Sequence, residues 1–173
     1  MLSAVALFAS CRRQRNTGQL IDQIAPALGI EVVDLGEQIT SAYDYQHRNR
    51  SDDFEALMAR ALGFEQIIFA SPVYWYAVCA PMKVFLDRIS DYLKLPDLLA
   101  QGRALRNKYA HVVCTSIVDD VPPSFINAFQ QTFSYLGMRH GALAHVNCRD
   151  GYVPARHEGE VLSFIRAVRN GPI

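Results

Sequence analysis

Residues 3–18 read Ser3-Ala-Val-Ala-Leu-Phe-Ala-Ser10-Cys-Arg-Arg-Gln-Arg-Asn-Thr-Gly18. The apolar run Ser3–Ala9 is short and includes β-branched and aromatic residues, which is typical of a strand buried on both faces. A polar loop follows at residues 10–17. Apolar residues then recur at helical spacing at Leu20, Ile21, Ile24, Ala25 and Leu28. Gly29 stands where a helix would end, so the chain opens as strand, polar loop and helix.

The same alternation continues to the end of the chain. Further strands are predicted at Ile30–Leu35, Gln66–Ala70, Tyr109–Thr115 and Gly141–Val146. Further helices are predicted at 54–62, from about Pro81 to Leu93, at 122–136 and at Glu158–Arg169. Ser51, Asp52 and Asp53 are expected to supply capping oxygens for the first of these. Five strands alternating with five helices predict a doubly wound α/β domain, a parallel sheet covered on both faces.

The length and charge of the chain narrow the possible functions. A chain of 173 residues fits one domain, residues 1–173. Its 17 basic residues balance its 17 acidic ones, so the net charge is zero. A nucleic-acid-binding domain would carry a basic surplus, and none is present. The balance also argues against an acidic carrier steered onto basic partners.

Cysteine usage and the amino terminus both favour a cytoplasmic protein. Cys11, Cys79, Cys114 and Cys148 stand far apart and form no C-x-x-C pair, so buried free thiols are expected. A signal peptide carries positive charge ahead of its apolar run, whereas here the arginines follow it. No stretch is apolar and long enough to cross a bilayer, so no membrane association is expected.

Two loops are expected to flank a ligand crevice, because doubly wound sheets bind ligands beyond the carboxyl ends of their strands. In the first loop, Ser10, Asn16 and Thr17 can donate hydrogen bonds to a phosphate, and Arg12 or Arg15 can add a charged fork. Neither the G-x-G-x-x-G nor the G-x-x-x-x-G-K-[ST] pattern is present. A solvated loop in which Thr17 merely caps the helix explains the same residues.

The second loop, Ser71-Pro-Val-Tyr-Trp-Tyr76, places three aromatic residues in a row. Planar side chains of this kind can wall a flat ligand. They can equally belong to the core or to an interface, and the sequence leaves these alternatives open.

Other polar residues are expected to be structural. The five histidines show no ligand spacing, so no metal site is predicted. Asp119 and Asp120 are expected to cap a helix before Pro122 rather than to act as an acid–base pair. Asp87-Arg88 is expected to make structural or subunit contacts.

Residues 71–88, Ser71-Pro-Val-Tyr-Trp-Tyr-Ala-Val-Cys-Ala-Pro-Met-Lys-Val-Phe-Leu-Asp-Arg88, resemble the signature of the NADPH-dependent FMN reductase-like flavoproteins of the flavodoxin superfamily. Ser10-x-Arg12 with Asn16-Thr17 is similar to their phosphate loop. The resemblance covers nearly the whole chain. It implies a flavodoxin-like three-layer α/β/α sandwich with a five-stranded parallel sheet in the order 2-1-3-4-5.

The resemblance also assigns residues to a cofactor. It implies that the FMN phosphate is held by Ser10, Arg12, Asn16 and Thr17. It implies that the isoalloxazine is lined by Pro72, Val73, Tyr74 and Trp75, with Tyr76 close by, and that Thr115 and Ser116 touch the flavin edge.

The chain departs from the family pattern in two places. Arg15 replaces a smaller residue, and residues 115–120 lack glycines usual there, so Ile117 or Val118 is expected to narrow the pocket. The long connection Gly36–Asn49 contains no cysteine, which excludes the iron–sulfur cluster of some relatives.

The implied activity is transfer of electrons from NADPH or NADH through FMN to a small acceptor such as a quinone or flavin, without a catalytic side chain. Two alternatives stay open, an FMN-binding electron carrier that does not oxidise NAD(P)H and a module that has lost FMN. The clustered aromatics predict a homodimer or a tetramer of dimers.

Overall fold

The computed structural model describes residues 2–171. Its strands are β1 (Ala4–Phe8), β2 (Glu31–Asp34), β3 (Gln66–Tyr74), β4 (Ala77–Val78), β5 (Tyr109–Ser116) and β6 (Arg139–Asn147). Its α-helices are α1 (Asn16–Leu28), α2 (Phe54–Leu62), α3 (Ala80–Arg88), α4 (Asp91–Lys94), α5 (Leu99–Arg103), α6 (Pro123–Leu136) and α7 (Glu158–Asn170). Short 3₁₀ turns cover Leu35–Glu37 and Pro154–Arg156.

The sheet has the strand order β2-β1-β3-β5-β6, and all these neighbours are parallel. Counting only the parallel strands, this is the predicted order 2-1-3-4-5, and the flavodoxin-like fold is confirmed. The direction of winding reverses at β1, which sends the chain first to β2 and then back to β3. The carboxyl ends of β1 and β3 therefore open side by side, which places a crevice there.

Both faces of the sheet are covered. On one face, Phe69 packs against Phe129 and Phe133 of α6, with ring centroids 5.9 and 5.0 Å away. On the other face, α1 and α7 bury Ile21, Ile24 and Phe164 against β1, β3 and β5. The inner strand β1, between β2 and β3, is buried on both sides over its whole length, which explains its unbroken apolar sequence.

Four predicted boundaries were wrong. Strand β3 runs to Tyr74 instead of ending at Ala70, because β4 pairs with it as an antiparallel hairpin. A sixth strand therefore exists. The helix predicted to reach Leu93 ends at Arg88, and α4 follows separately. Strand β6 is longer than predicted at both ends.

Three capping predictions also need correction. Asp53 makes no capping bond to α2, although the Phe54 amide donates to Asp52 at 3.1 Å. Asp119 accepts instead from the Asn147 side chain at 2.6 Å, and α6 begins after Pro122 without a side-chain cap. Thr17 lies inside α1 rather than before it.

All four cysteines are free thiols; Cys79, Cys114 and Cys148 are buried as expected, whereas Cys11 is exposed. Within residues 2–171, no helix has the length and apolar character needed to span a bilayer. The same residues contain no cluster of histidine, cysteine and acidic side chains suited to a metal ion.

Candidate functional site

A cavity of about 450 Å³ opens where β1, β3 and β5 end. Its lining is Ser10, Arg12, Arg15, Asn16, Thr17, Pro72, Val73, Tyr74, Trp75, Thr115, Ser116 and Ile117. The two loops expected from the sequence and the third one implied by the resemblance thus converge on one cavity. Of the residues predicted for the site, only Tyr76 is absent from its wall.

The loop after β1 is held against the first two turns of α1 by Arg13. Its guanidinium donates to Asp22 at 2.5 and 3.1 Å and lies 4.8 Å from the centre of the Phe8 ring. A Cβ at residue 18 would lie 1.6 Å from the Arg13 carbonyl oxygen, so this close approach requires Gly18. Arg13 is therefore structural.

Arg12 and Arg15 remain available for a ligand. Both side chains are exposed and line the cavity, and no carboxylate within the described chain pairs with either. Arg15 stands at the N-cap of α1 without a side-chain cap, which leaves the first backbone N–H groups of the helix without side-chain acceptors. Two unpaired guanidiniums beside a helix N-terminus form an environment that attracts an anion.

Thr17 reaches across the sheet instead of capping its helix. Its hydroxyl lies 2.7 Å from the hydroxyl of Thr115, and both residues are buried. Their mutual bond uses one hydroxyl hydrogen, so the other hydrogen can be donated to a ligand. Asn16 is also fixed, because its side-chain oxygen accepts from the Tyr152 amide at 3.2 Å. Its NH₂ group is thereby assigned as a donor.

The aromatic loop is a tight β-hairpin. Tyr74 pairs with Ala77, and the two residues between them have positive φ, 49° at Trp75 and 63° at Tyr76. Positive φ at both positions is typical of a type I′ turn, which normally selects Asn and Gly. Ser124 anchors the turn by donating to the Tyr76 carbonyl at 2.7 Å. Trp75 is held at the cavity rim with 93 % of its surface exposed.

The loop after β5 is ordered by Ser116. Its hydroxyl donates to the Val118 carbonyl at 3.0 Å and lies 2.7 Å from Nε2 of His145. Ser116 thus bridges the Val118 backbone and the His145 ring. Burial lowers the pKa of His145, which favours the neutral imidazole. The Ser116 side chain is thus occupied within its own loop.

Sequence reasoning missed two supports of this site, His145 and Tyr152. His145 lies on a strand that the sequence placed correctly, but its contact with Ser116 depends on strand pairing across 29 positions. Tyr152 contacts α1 through its backbone amide, which donates to Asn16, and through its hydroxyl, which donates to Gln23; these partners lie 136 and 129 positions away, so no local pattern signals them. Ile117, expected to narrow the pocket, lies in its wall.

The sequence model of the NADPH-dependent FMN reductase family matches residues 2–147. The chain belongs to this family. Over 91 residues it is 30 % identical to YwqN of Bacillus subtilis, whose name describes an NAD(P)H-dependent FMN-containing oxidoreductase. That alignment covers 50 % of this chain and 49 % of the relative, so the chain spans about half the length of the curated relative it matches.

Solved structures share the fold of this FMN reductase family member. The Trp repressor binding protein of Bacillus subtilis superposes with a TM-score of 0.77 at 19 % identity, covering 98 % of this chain and 99 % of that one. An FMN-dependent NADH-azoreductase of Bacillus anthracis, solved with FMN, superposes with a TM-score of 0.71 at 8 % identity, covering 96 % and 98 %. At such identities the likeness extends to the fold alone.

The residues around the cavity of this family member fit FMN. A phosphate needs donors and positive charge, which the α1 N-terminus, Arg12 and Arg15 supply. A planar ring needs apolar walls, which Pro72, Val73 and the hairpin aromatics supply. The volume lies within the usual range for small-molecule sites, about 300–1,000 Å³.

Proposed function

We propose that the chain binds FMN in this cavity and catalyses electron transfer from NADPH or NADH to a small acceptor such as a quinone or a free flavin. The observation that carries the proposal is the convergence of an anion-attracting helix start and an aromatic hairpin on one cavity. Family membership supports both the cofactor and the electron donor.

The phosphate end of FMN is assigned to the loop after β1. Arg12 and Arg15 would neutralise the phosphate, and the backbone amides at the start of α1 would donate to its oxygens. Ser10 is less suited than the sequence suggested, because its hydroxyl accepts from the Arg12 amide at 3.2 Å and helps shape the loop. Asn16 and the Thr17–Thr115 pair supply the remaining donors.

The ring end of FMN is assigned to the hairpin and the loop after β5. Pro72, Val73 and Tyr74 would pack on the isoalloxazine, and Trp75 would cover its edge. Residues 115–117 would approach the opposite side, with Thr115 and Ser116 contributing backbone groups and Ile117 an apolar contact. Tyr76 would act by holding the turn rather than by contact, since it lies outside the cavity wall.

The side chains around the cavity would position FMN and the nicotinamide and exclude water. None of them is assigned a proton transfer. When bound, FMN would supply the redox chemistry, the transfer of hydride and electrons between a nicotinamide and the acceptor. Among the residues that the structure describes, no carboxylate, imidazole or thiol lines the cavity, so no general acid or base is assigned. Asp119 and Asp120 follow Ile117 but lie outside the cavity lining.

We further propose that the chain works as a homodimer or a tetramer of dimers. Trp75 and Ile117 of the cavity wall and the neighbouring Tyr76 are exposed, with 93 %, 66 % and 66 % of the surfaces of Trp75, Tyr76 and Ile117 accessible. Apolar clusters of this kind mark interfaces. Light scattering of the FMN-loaded protein at micromolar concentration tests this, and a monomer contradicts it. The three buried free thiols support a reducing, cytoplasmic environment.

The experiment that tests the activity is NADPH and NADH oxidation by the FMN-saturated protein with a quinone acceptor. The proposal expects turnover that depends on added FMN. FMN binding without NADPH or NADH oxidation would instead indicate an electron carrier, and absence of flavin absorbance after purification in excess FMN would indicate a module without cofactor.

A further inference from the structure

A second cavity, of about 320 Å³, lies at the carboxyl ends of β5 and β6, next to the first. Its lining is Asp119, Asn147, Arg149, Asp150, Gly151, Arg156 and His157. The lining is strongly polar, unlike the aromatic wall of the first cavity. None of these residues has a part in the function proposed above.

The segment that forms this cavity is fastened to the wall of the first one. The Cys148 amide donates to the Ser116 carbonyl at 2.7 Å, and Arg149 Nε donates to the Ile117 carbonyl at 3.1 Å. The Tyr152 amide donates to Asn16 on the phosphate side. Ile117 lines the first cavity and Asp119, two residues further along the chain, lines the second, so the two cavities share the loop after β5. A ligand extending out of the first cavity along this loop would reach the second.

The charged groups of the second cavity suit a ligand with both phosphates and hydroxyls. Within residues 2–171, neither Arg149 nor Arg156 pairs with a carboxylate. Both guanidiniums can therefore donate bidentate hydrogen bonds to phosphate oxygens. Asp119 and Asp150 also face the cavity and offset this charge, so a simple anion is poorly matched. Carboxylates are, however, the groups that accept hydrogen bonds from ribose hydroxyls.

The second cavity also offers an aromatic surface. The His157 imidazole is stacked on the Tyr152 ring, with centroids 5.5 Å apart and planes inclined by 19°. A planar face held in this way can receive a nucleobase. Paired phosphates, a ribose and a base are the components of one ligand class, a nucleoside diphosphate attached to ribose.

We propose that the second cavity binds the ADP-ribose half of NADPH or NADH while the nicotinamide enters the first cavity. This inference rests on the proposed function for the identity of the donor. Arg156 and Arg149 hold the pyrophosphate, Asp119 or Asp150 accepts from the ribose, and the base covers His157. Arg156 carries the cleanest test, because its side chain makes no hydrogen bond or ion pair within the described chain.

The experiment titrates ADP-ribose into the FMN-saturated full-length protein by calorimetry. Wild type should bind it, and Arg156→Ala should weaken binding by about tenfold or more, as expected for loss of a charged phosphate contact. Arg166→Ala changes an exposed arginine on α7, outside the cavity lining; it is the matched control and should bind like wild type. No binding to wild type, or equal binding to Arg156→Ala, overturns the inference.

The same titration without FMN separates this inference from the proposed function. ADP-ribose binding should persist in Arg12→Ala, which alters only the first cavity, and be lost in Arg156→Ala. If Arg12→Ala loses as much affinity as Arg156→Ala, the ligand occupies the first cavity and the inference fails. FMN binding is measured separately, so an absence of FMN affinity contradicts the proposed function alone.

A kinetic readout gives a second check. Arg156→Ala should raise KM for NADPH and NADH by about tenfold or more, with little change in KM for 1-benzyl-1,4-dihydronicotinamide, which lacks the ADP half. Equal increases for both kinds of donor would show that Arg156 affects the nicotinamide end and would overturn the assignment.

Discussion

Thr17 in the first turn of α1 and Thr115 near the end of β5 share a buried hydroxyl–hydroxyl hydrogen bond of 2.7 Å. This bond fixes the phosphate side of the candidate site relative to the ring side. It joins residues 98 positions apart, so the geometry of the site depends on the folded sheet.

The Thr17–Thr115 bond predicts coupled stability. Thr17→Val or Thr115→Val alone leaves a buried hydroxyl without its partner and should lower the free energy of unfolding by about 1–3 kcal/mol. The double variant removes both polar groups with little change in shape and should lose less than the sum of the two. Denaturant unfolding in a double-mutant cycle measures this; additivity within about 0.5 kcal/mol would contradict the coupling.

The hairpin turn predicts a trade between stability and ligand affinity. Replacing Trp75-Tyr76 by Asn-Gly supplies residues that accept positive φ, and should raise the free energy of unfolding by about 1–2 kcal/mol. The same change removes the aromatic cover and should weaken FMN binding by about tenfold. Tyr45→Asn, an exposed aromatic in the connection after β2, serves as the control for affinity. A loss of stability in the Asn-Gly variant would contradict the strain argument.

The hairpin is also a part of the fold that sequence patterns could not predict. Strand β4 has two residues, too few to show any period, and its turn lacks the Asn or Gly that signals a type I′ hairpin. The hairpin in this loop was therefore not predicted, and its role as a ligand wall stays a prediction. In contrast, β1 and α1 were predictable from sequence. Burial on both faces gives β1 an unbroken apolar run, and burial on one face gives α1 apolar residues at helical spacing.

Substitution of Arg88 is expected to cause a large loss of stability. Its side chain is 1 % exposed and donates to Asp52 at 2.5 Å and to Asp91 at 2.7 Å. Arg88→Met leaves both carboxylates buried without their partner and should lower the free energy of unfolding by about 3–5 kcal/mol. Lys83→Ala removes an exposed ion pair on the same helix and should cost at most about 1 kcal/mol. Similar losses for the two variants would contradict the buried role of Arg88.

This network could not be predicted from sequence. Asp52 was assigned to helix capping, and it does accept from the Phe54 amide, but its other oxygen binds Arg88, 36 positions away. His47 joins the same network through Asp91 at 2.7 Å. Pairings of this kind are set by how α2, α3 and the long connection pack, and no local spacing encodes them.

His111 predicts the pH dependence of stability. Burial lowers its pKa from 6.5 to about 4. Its Nδ1 accepts from the Ala142 amide at 2.9 Å, so protonation would remove that acceptor. Between pH 6.5 and 4 the unfolded state binds this proton and the folded state does not. Stability is therefore complete above pH 6.5 and should fall by about 3 kcal/mol toward pH 4.

The contribution of His111 is isolated by substitution. His111→Gln should flatten the decline of unfolding free energy between pH 6.5 and 4, whereas the exposed His140→Gln should keep the wild-type slope. Denaturant unfolding at several pH values measures both. An unchanged slope in His111→Gln would show that other groups govern the decline of unfolding free energy between pH 6.5 and 4.

The central claim is that FMN binds at the α1 N-terminus with its ring against the hairpin. Trp75 is the single tryptophan of the chain and is almost fully exposed at the cavity rim, so its fluorescence reports directly on this cavity. The account predicts that titrated FMN quenches Trp75 fluorescence with one-to-one stoichiometry. It further predicts affinity weaker by about tenfold or more in Arg12→Ala/Arg15→Ala, and unchanged in Arg166→Ala. Absence of quenching, or equal affinity in the double variant, would contradict it.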